Sequence, residues 1–242
     1  MRQLKNNLLL INSSHPISKK YVPSSLVAIN KEVYLAKSAT ENIRKLLRTI
    51  QVKDEIIPVS GYRSYEEQEQ IYQESLLTNG EEYTQKYVAK PGCSEHQAGL
   101  AIDVALKKEN IDFICPDFAG SPICESFREN MAAYGFILRY PADKTKLTGI
   151  AYEPWHFRYV GFPHSEIMKE REYVLEEYMD YLKNFTSFHE PFHWQDGNRC
   201  YYIVTVKIDE WFLGIVEMPC KVVICEMSFS NCEELIITYR TD

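Results

Sequence analysis

Ser94-Glu95-His96-Gln97-Ala98-Gly99-Leu100-Ala101-Ile102-Asp103 contains the start of a strand and two side chains able to bind a metal. Leu100, Ile102 and Val104 alternate with Ala101, Asp103 and Ala105. That period of two predicts a β-strand with Asp103 on the face opposite the apolar trio. Ala101 shares the face of Asp103, and its small side chain leaves room there. His96 falls in the loop before the strand, and Gly99 lets the backbone bend between them without Cβ conflict.

Further along, Glu153-Pro154-Trp155-His156 supplies a second histidine and a second carboxylate, followed by a strand from Phe157 to Val160. In a regular strand Glu153 and His156 would point to opposite faces. Proline belongs at a strand start or edge, so a local break at Pro154 brings both onto one site. Two histidines, an aspartate and a glutamate are the parts of a catalytic zinc site: three protein ligands, an open position for water, and a carboxylate that stays off the metal. His96, Asp103 and His156 are the expected ligands of one Zn2+ per chain. Glu153 is the expected free carboxylate, with a ligand role as the alternative. His189 and His193 with Cys200 match no zinc spacing.

Outward from these segments the chain mixes helices and strands. Ile43, Leu46, Leu47 and Ile50 fall on one helical face, which predicts a helix over about Lys31 to Ile50. Residues 1 to 30, with Pro16 and Pro23, show no sustained period. A short strand is expected over Ile56 to Ser60. Ser64 and Glu67 form a capping box at the start of a helix that Asn79-Gly80 stops. Ser121-Pro122 and Gly135 bracket a further helix, and Phe136 to Tyr140 reads as a strand. Val174, Tyr178, Tyr181, Leu182 and Phe185 form one stripe of a helix ending near Asn184. From about residue 190 short alternating runs predict a small β-rich appendage, giving a main domain over 1–189 and an extension over 190–242.

Composition excludes several classes. The 242 residues suffice for one full core or a core plus an appendage. With 34 acidic and 27 basic residues the net charge is −7, which argues against a nucleic-acid surface. The apolar run Leu8 to Ile11 is too short for a signal-peptide core, and no stretch reaches membrane-spanning length. A cytoplasmic protein is therefore expected. The seven cysteines are odd in number and form no C-x-x-C pair, which predicts reduced thiols.

Ser60-Gly61-Tyr62-Arg63-Ser64 places an arginine just before a helix start. Arginine keeps its charge in proteins and can hold a developing oxyanion. The order S-G-Y-R-S, S-x-H-x-x-G-x-A-x-D and E-x-W-H resembles the VanY/VanX zinc D,D-peptidases, over roughly Asn12 to Phe185. It is closest to the VanXY type, carried by Pro91 to His96, Tyr134 to Pro141 and Tyr152 to Gly161. The resemblance implies an α+β fold with a central antiparallel sheet, packed helices and the zinc site at the sheet. It implies His96, Asp103 and His156 as ligands, Glu153 as catalytic base and Arg63 as transition-state stabiliser. It further implies substrate contacts from Gln68, Ser94, Tyr62 and Trp155. The expected activity is hydrolysis of D-Ala-D-Ala and removal of terminal D-Ala from peptidoglycan precursors, as in the VanG-type vancomycin-resistance system. Rival readings are an L-alanyl-D-glutamate cell-wall endopeptidase and a metal- or peptide-binding module that has lost catalysis.

Overall fold

A computed structural model describes residues 4–231 and 233–241. The fold is α+β, and the chain divides into two compact units, Ile11–Val174 and Met1–Leu10 with Leu175–Asp242.

In the first unit, β1 (Leu26–Ala28) and β2 (Tyr34–Ala36) form a hairpin where no strand was expected. Asn30 makes it: its side-chain oxygen accepts the backbone N–H groups of Glu32 and Val33, an Asx turn that reverses the chain. The helix expected from Lys31 therefore begins only at Lys37, as α1 (Lys37–Thr49), with Ile43 and Leu46 fully buried as their spacing predicts. β3 (Ile56–Ser60) follows. α2 (Tyr65–Asn79) starts on the expected capping box: Glu67 N–H donates to Ser64 Oγ, and Ser64 N–H donates to Glu67 Oε2 at 2.7 Å. α2 stops at Asn79 with Gly80 as its cap, as expected, and Gly80, at φ 81°, turns the chain directly into α3 (Glu81–Tyr87).

β4 (Ala101–Leu106), β5 (Phe136–Leu138) and β6 (His156–Tyr159) complete a four-stranded antiparallel sheet in the order β3-β4-β6-β5. α4 (Pro122–Asn130) and a 3-10 turn ending at Gly135 lie before β5, as Pro122 and Gly135 foretell. α5 (Thr145–Thr148) precedes β6, and α6 (His164–Arg171) follows it. Phe157, Phe127 and Phe118 pack ring to ring, with centroids 4.7–5.6 Å apart, and are fully buried. Neighbouring residues of a strand point to opposite faces. Phe157 therefore anchors one face of the sheet in an aromatic core, and His156 is turned to the other.

The second unit holds α7 (Leu175–Leu182), β7 (Phe192–Asp196), β8 (Arg199–Lys207), α8 (Ile208–Phe212), β9 (Val222–Phe229) and β10 (Glu234–Thr241). Its sheet, ordered β7-β8-β10-β9, is antiparallel throughout. The β-rich reading of this region matches, apart from α8. The division falls near residue 175 rather than 190, for a physical reason. Val204 and Val206 fill one face of β8, but Thr205 on the other face is also buried, its hydroxyl donating to Leu182 O and its N–H to Phe185 O. α7 and the chain after it cover that face. The first residues join the same unit: Lys5 N–H donates to Met227 O, and Leu8 N–H to Ser228 Oγ.

Six cysteines, Cys93, Cys115, Cys124, Cys200, Cys220 and Cys225, are free; Cys232 lies outside the described residues.

Candidate active site

Strand register brings the distant motifs together. Asp103 sits directly opposite His156 on β6 and opposite Ser60 on β3. Directly paired residues of an antiparallel sheet share a face with Cβ atoms about 5 Å apart. His96 reaches the same place from a 3-10 turn, Glu95–Ala98, rather than from an open loop. Gly99, at φ 64°, ends that turn in the left-handed conformation that glycine tolerates best. Gly61 has a different reason to lack a side chain: a Cβ there would run into Tyr34 O and Val33. That close approach lets the Gly61 carbonyl accept a hydrogen bond from His96 Nδ1 at 2.6 Å.

The Nδ1–H to carbonyl bond leaves the lone pair of His96 on Nε2. Nε2 lies 3.2 Å from Asp103 Oδ2, and Asp103 Oδ1 lies 2.9 Å from His156 Nδ1. One ligand atom from each residue falls within 4.8 Å of the others, and all three residues are buried. Asp103 Oδ1 is buried and, despite lying 2.9 Å from His156 Nδ1, makes no aligned hydrogen bond. Such an atom is costly unless something else satisfies it, and two imidazole nitrogens with a carboxylate are a donor set suited to zinc. His96, Asp103 and His156 can therefore hold a metal ion, as their sequence pattern indicated.

Burial and the neighbouring charges move the two histidines in opposite directions. Burial lowers His96 to about 4, helped by Arg63, so its ring stays neutral. Burial opposes protonation of His156 too, but Asp103, Glu95 and Glu153 outweigh it and lift the ring to about 9. Burial alone would raise Asp103, yet His96 and His156 hold it below the ordinary carboxylate range.

Glu153 reaches the site through a turn. His156 N–H donates to Glu153 O at 3.2 Å, closing a four-residue turn with Pro154 at its second position, where proline is favoured. Glu153 Oε2 then lies 3.5 Å from His156 Nδ1. Burial pushes the Glu153 carboxyl up to about 8; His156 and Arg63 oppose that shift, and Asp103 and Glu95 add to it. Arg63 is held by its own N–H on His96 O, with a guanidinium nitrogen 3.9 Å from Asp103 Oδ2. Its buried Nε has no hydrogen-bond partner.

These groups open into a cavity of about 320 Å³. Arg63, Gln68, Ser94, His96, Asp103, Glu153, Trp155 and His156 all line it, with Ile71, Phe113 and Ile114 among its apolar walls. Gln68 is buried; its Nε2 donates to Ala89 O at 2.7 Å, and its Oε1 has no partner. Tyr62 is not among the lining residues. Sequence reasoning missed two contributors. Tyr140 lines the cavity, its ring 4.8 Å from that of His156. Glu95 lies behind His156, with Oε2 3.7 Å from Nε2. Its signal was its place beside His96, but only the fold turns it toward the second histidine.

The fold and site define a metallopeptidase class, and comparison with known proteins specifies it. The VanY D-alanyl-D-alanine carboxypeptidase family model matches residues 32–162. The chain is 49% identical over 181 residues to the bifunctional D-Ala-D-Ala dipeptidase and D-Ala-D-Ala carboxypeptidase VanXYC of Enterococcus gallinarum, covering 73% of this chain and 95% of that protein. It is 39% identical to a D-alanyl-D-alanine carboxypeptidase of Enterococcus faecium, over 83% of this chain and 66% of that one. Among solved structures, the vancomycin-resistance D,D-dipeptidase VanXYg in complex with a D-Ala-D-Ala phosphinate analogue superposes with a TM-score of 0.88 at 38% identity, covering 97% of this chain and 94% of that chain. A VanY D,D-pentapeptidase variant from a VanB-type cassette, in complex with Zn(II), gives a TM-score of 0.61 at 30% identity over 72% of this chain and 98% of that chain. The chain belongs to the VanY D-alanyl-D-alanine carboxypeptidase family.

Proposed function

We propose that this chain is a zinc-dependent, bifunctional D,D-peptidase that cleaves D-Ala-D-Ala and removes terminal D-Ala from longer precursor peptides, contributing to glycopeptide resistance. The observation that carries this reading is the convergence of His96, Asp103 and His156 beside Glu153, in one buried cavity of a chain 49% identical to VanXYC. Similarity to VanXYg over 97% of the chain supports the VanG-type setting. The free cysteines fit a reducing, cytoplasmic compartment.

When bound, the metal would lower the pKa of a coordinated water toward ~7 and polarise the scissile carbonyl. Glu153 takes the proton from the attacking water and passes it to the leaving amine as the C–N bond breaks. Arg63 faces the developing oxyanion, an interaction that strengthens as charge builds. Gln68 offers its unpaired Oε1 to an N–H of the substrate. Ser94 and Trp155 shape the wall, and Ser94 orients substrate rather than acting as nucleophile.

Zinc content and D-Ala release from D-Ala-D-Ala, measured with and without chelator, test the reading together. The expected result is about one zinc per chain and turnover that chelation abolishes and zinc restores. A zinc-loaded protein that releases no D-Ala would overturn it. Faster cleavage of D-Ala-D-Ser than of D-Ala-D-Ala would contradict the resistance role.

A further inference from the structure

Glu95 carries a third buried carboxylate at the site, besides Asp103 and Glu153, across the imidazole ring of His156 from Asp103. Its Oε1 accepts from Arg139 Nε and Arg158 Nη1, each at 2.7 Å, and all three side chains are completely buried. Its Oε2 has no hydrogen-bond partner, nor does His156 Nε2, and these two atoms face each other at 3.7 Å. Arg139 also lies over the ring of Tyr140, 4.9 Å from its centroid, and Tyr140 packs beside His156. Burying a carboxylate with two guanidinium groups is no better for stability than a well-packed apolar cluster. The arrangement therefore calls for a reason in the site.

We propose that Glu95 is a positioning residue of the metal site: its Oε2, 3.7 Å away, is placed to take the Nε2–H of the neutral His156 ring, so that the lone pair of that imidazole falls on Nδ1, facing Asp103. Arg139 and Arg158 hold the carboxylate in place. The inference rests on the metal reading of His96, Asp103 and His156. His96 meets the same need through the backbone, donating Nδ1–H to Gly61 O and leaving Nε2 for the metal. The two imidazoles thus present opposite nitrogens, each fixed by what the other nitrogen contacts.

Glu95→Gln tests this directly. If its carbonyl keeps both arginines, its amide NH2 faces His156 Nε2 and pushes the proton to Nδ1, the wrong nitrogen. Zinc affinity, measured by chelator competition on folded protein, should fall about 10–100-fold, the range for such outer-shell partners. Folded Glu95→Gln that binds zinc like wild type would overturn the role. Should the variant not fold, 15N-histidine NMR of the zinc-loaded wild-type chain decides. Expected is His156 protonated at Nε2 with Nδ1 on the metal, and His96 the reverse. Nε2 of His156 on the metal would overturn the proposal. A wild-type chain that takes up no zinc would instead defeat the metal reading itself, and this inference with it.

Discussion

The sheet β3-β4-β6-β5 carries Asp103 and His156 on one face, with buried Glu95, Arg139, Arg158 and Glu153 around them. The sheet β7-β8-β10-β9 has the same strand number and the same antiparallel pairing, yet its core is Phe188, Val204, Val206, Leu235, Ile237 and Tyr239. Both obey the same rules of alternation and register. The second sheet is what folding alone favours, since apolar burial is the main driving force. The first accepts groups that are expensive to take out of water. Such expense inside an otherwise ordinary sheet marks the place where chemistry, not stability, selected the residues.

Substitutions in the two sheets should therefore fail in different ways. The largest effect is expected for His156→Ala, which removes a ligand: zinc content and D-Ala release should both be lost, by metal analysis and rate assay, while the fold persists by circular dichroism. A variant that keeps its zinc would break the contrast. Glu153→Ala should keep the metal and lose at least ~10²-fold in turnover, the scale of a positioned base; unchanged steady-state rates would remove Glu153 from catalysis. In the other sheet, Ile237→Ala should cost ~2–5 kcal/mol of stability through the cavity it leaves. Denaturant unfolding would show that cost, with zinc content unaltered.

Glu226 sharpens the comparison, because it is a buried carboxylate inside the apolar sheet. Burial pushes it up to about 7, against the pull of Lys5 and a hydrogen bond from Asn7. A folded value above the unfolded one means that its contribution is complete below about pH 4.5 and is lost as pH rises through about 7. Wild type and Glu226→Gln should be equally stable at low pH. The glutamine variant should gain on the order of 3 kcal/mol by pH 8, at 1.36 kcal/mol per pKa unit. Unfolding curves across that pH range check it, and a constant difference would refute it. The smallest effect is expected at Ser64→Ala, which loses one half of the capping box for ~1 kcal/mol and should raise KM through α2 and Gln68 more than it lowers kcat.

Local signals were legible where they are strong in isolation. The alternation around Asp103, the Ser64–Glu67 box and the Pro122 and Gly135 punctuation each depend on neighbours within a few residues, and each appears in the structure. The hairpin of β1 and β2 was not legible, because its strands are short and depend on the Asn30 turn and mutual pairing. The start of α1 was misjudged for the same reason. The boundary near residue 175 follows from the second face of β8, where Thr205 is buried beneath α7 and the residues after it.

The candidate ligands and base could be named from residue types and spacing, since metal chemistry restricts the side chains that can serve. Which nitrogen of each histidine lies nearest Asp103 was decided by packing: Gly61 O takes Nδ1 of His96, strand pairing sets His156 opposite Asp103, and Glu95 stands behind it. Periodicity tells a side chain which face to take, but only packing in three dimensions tells it what lies opposite.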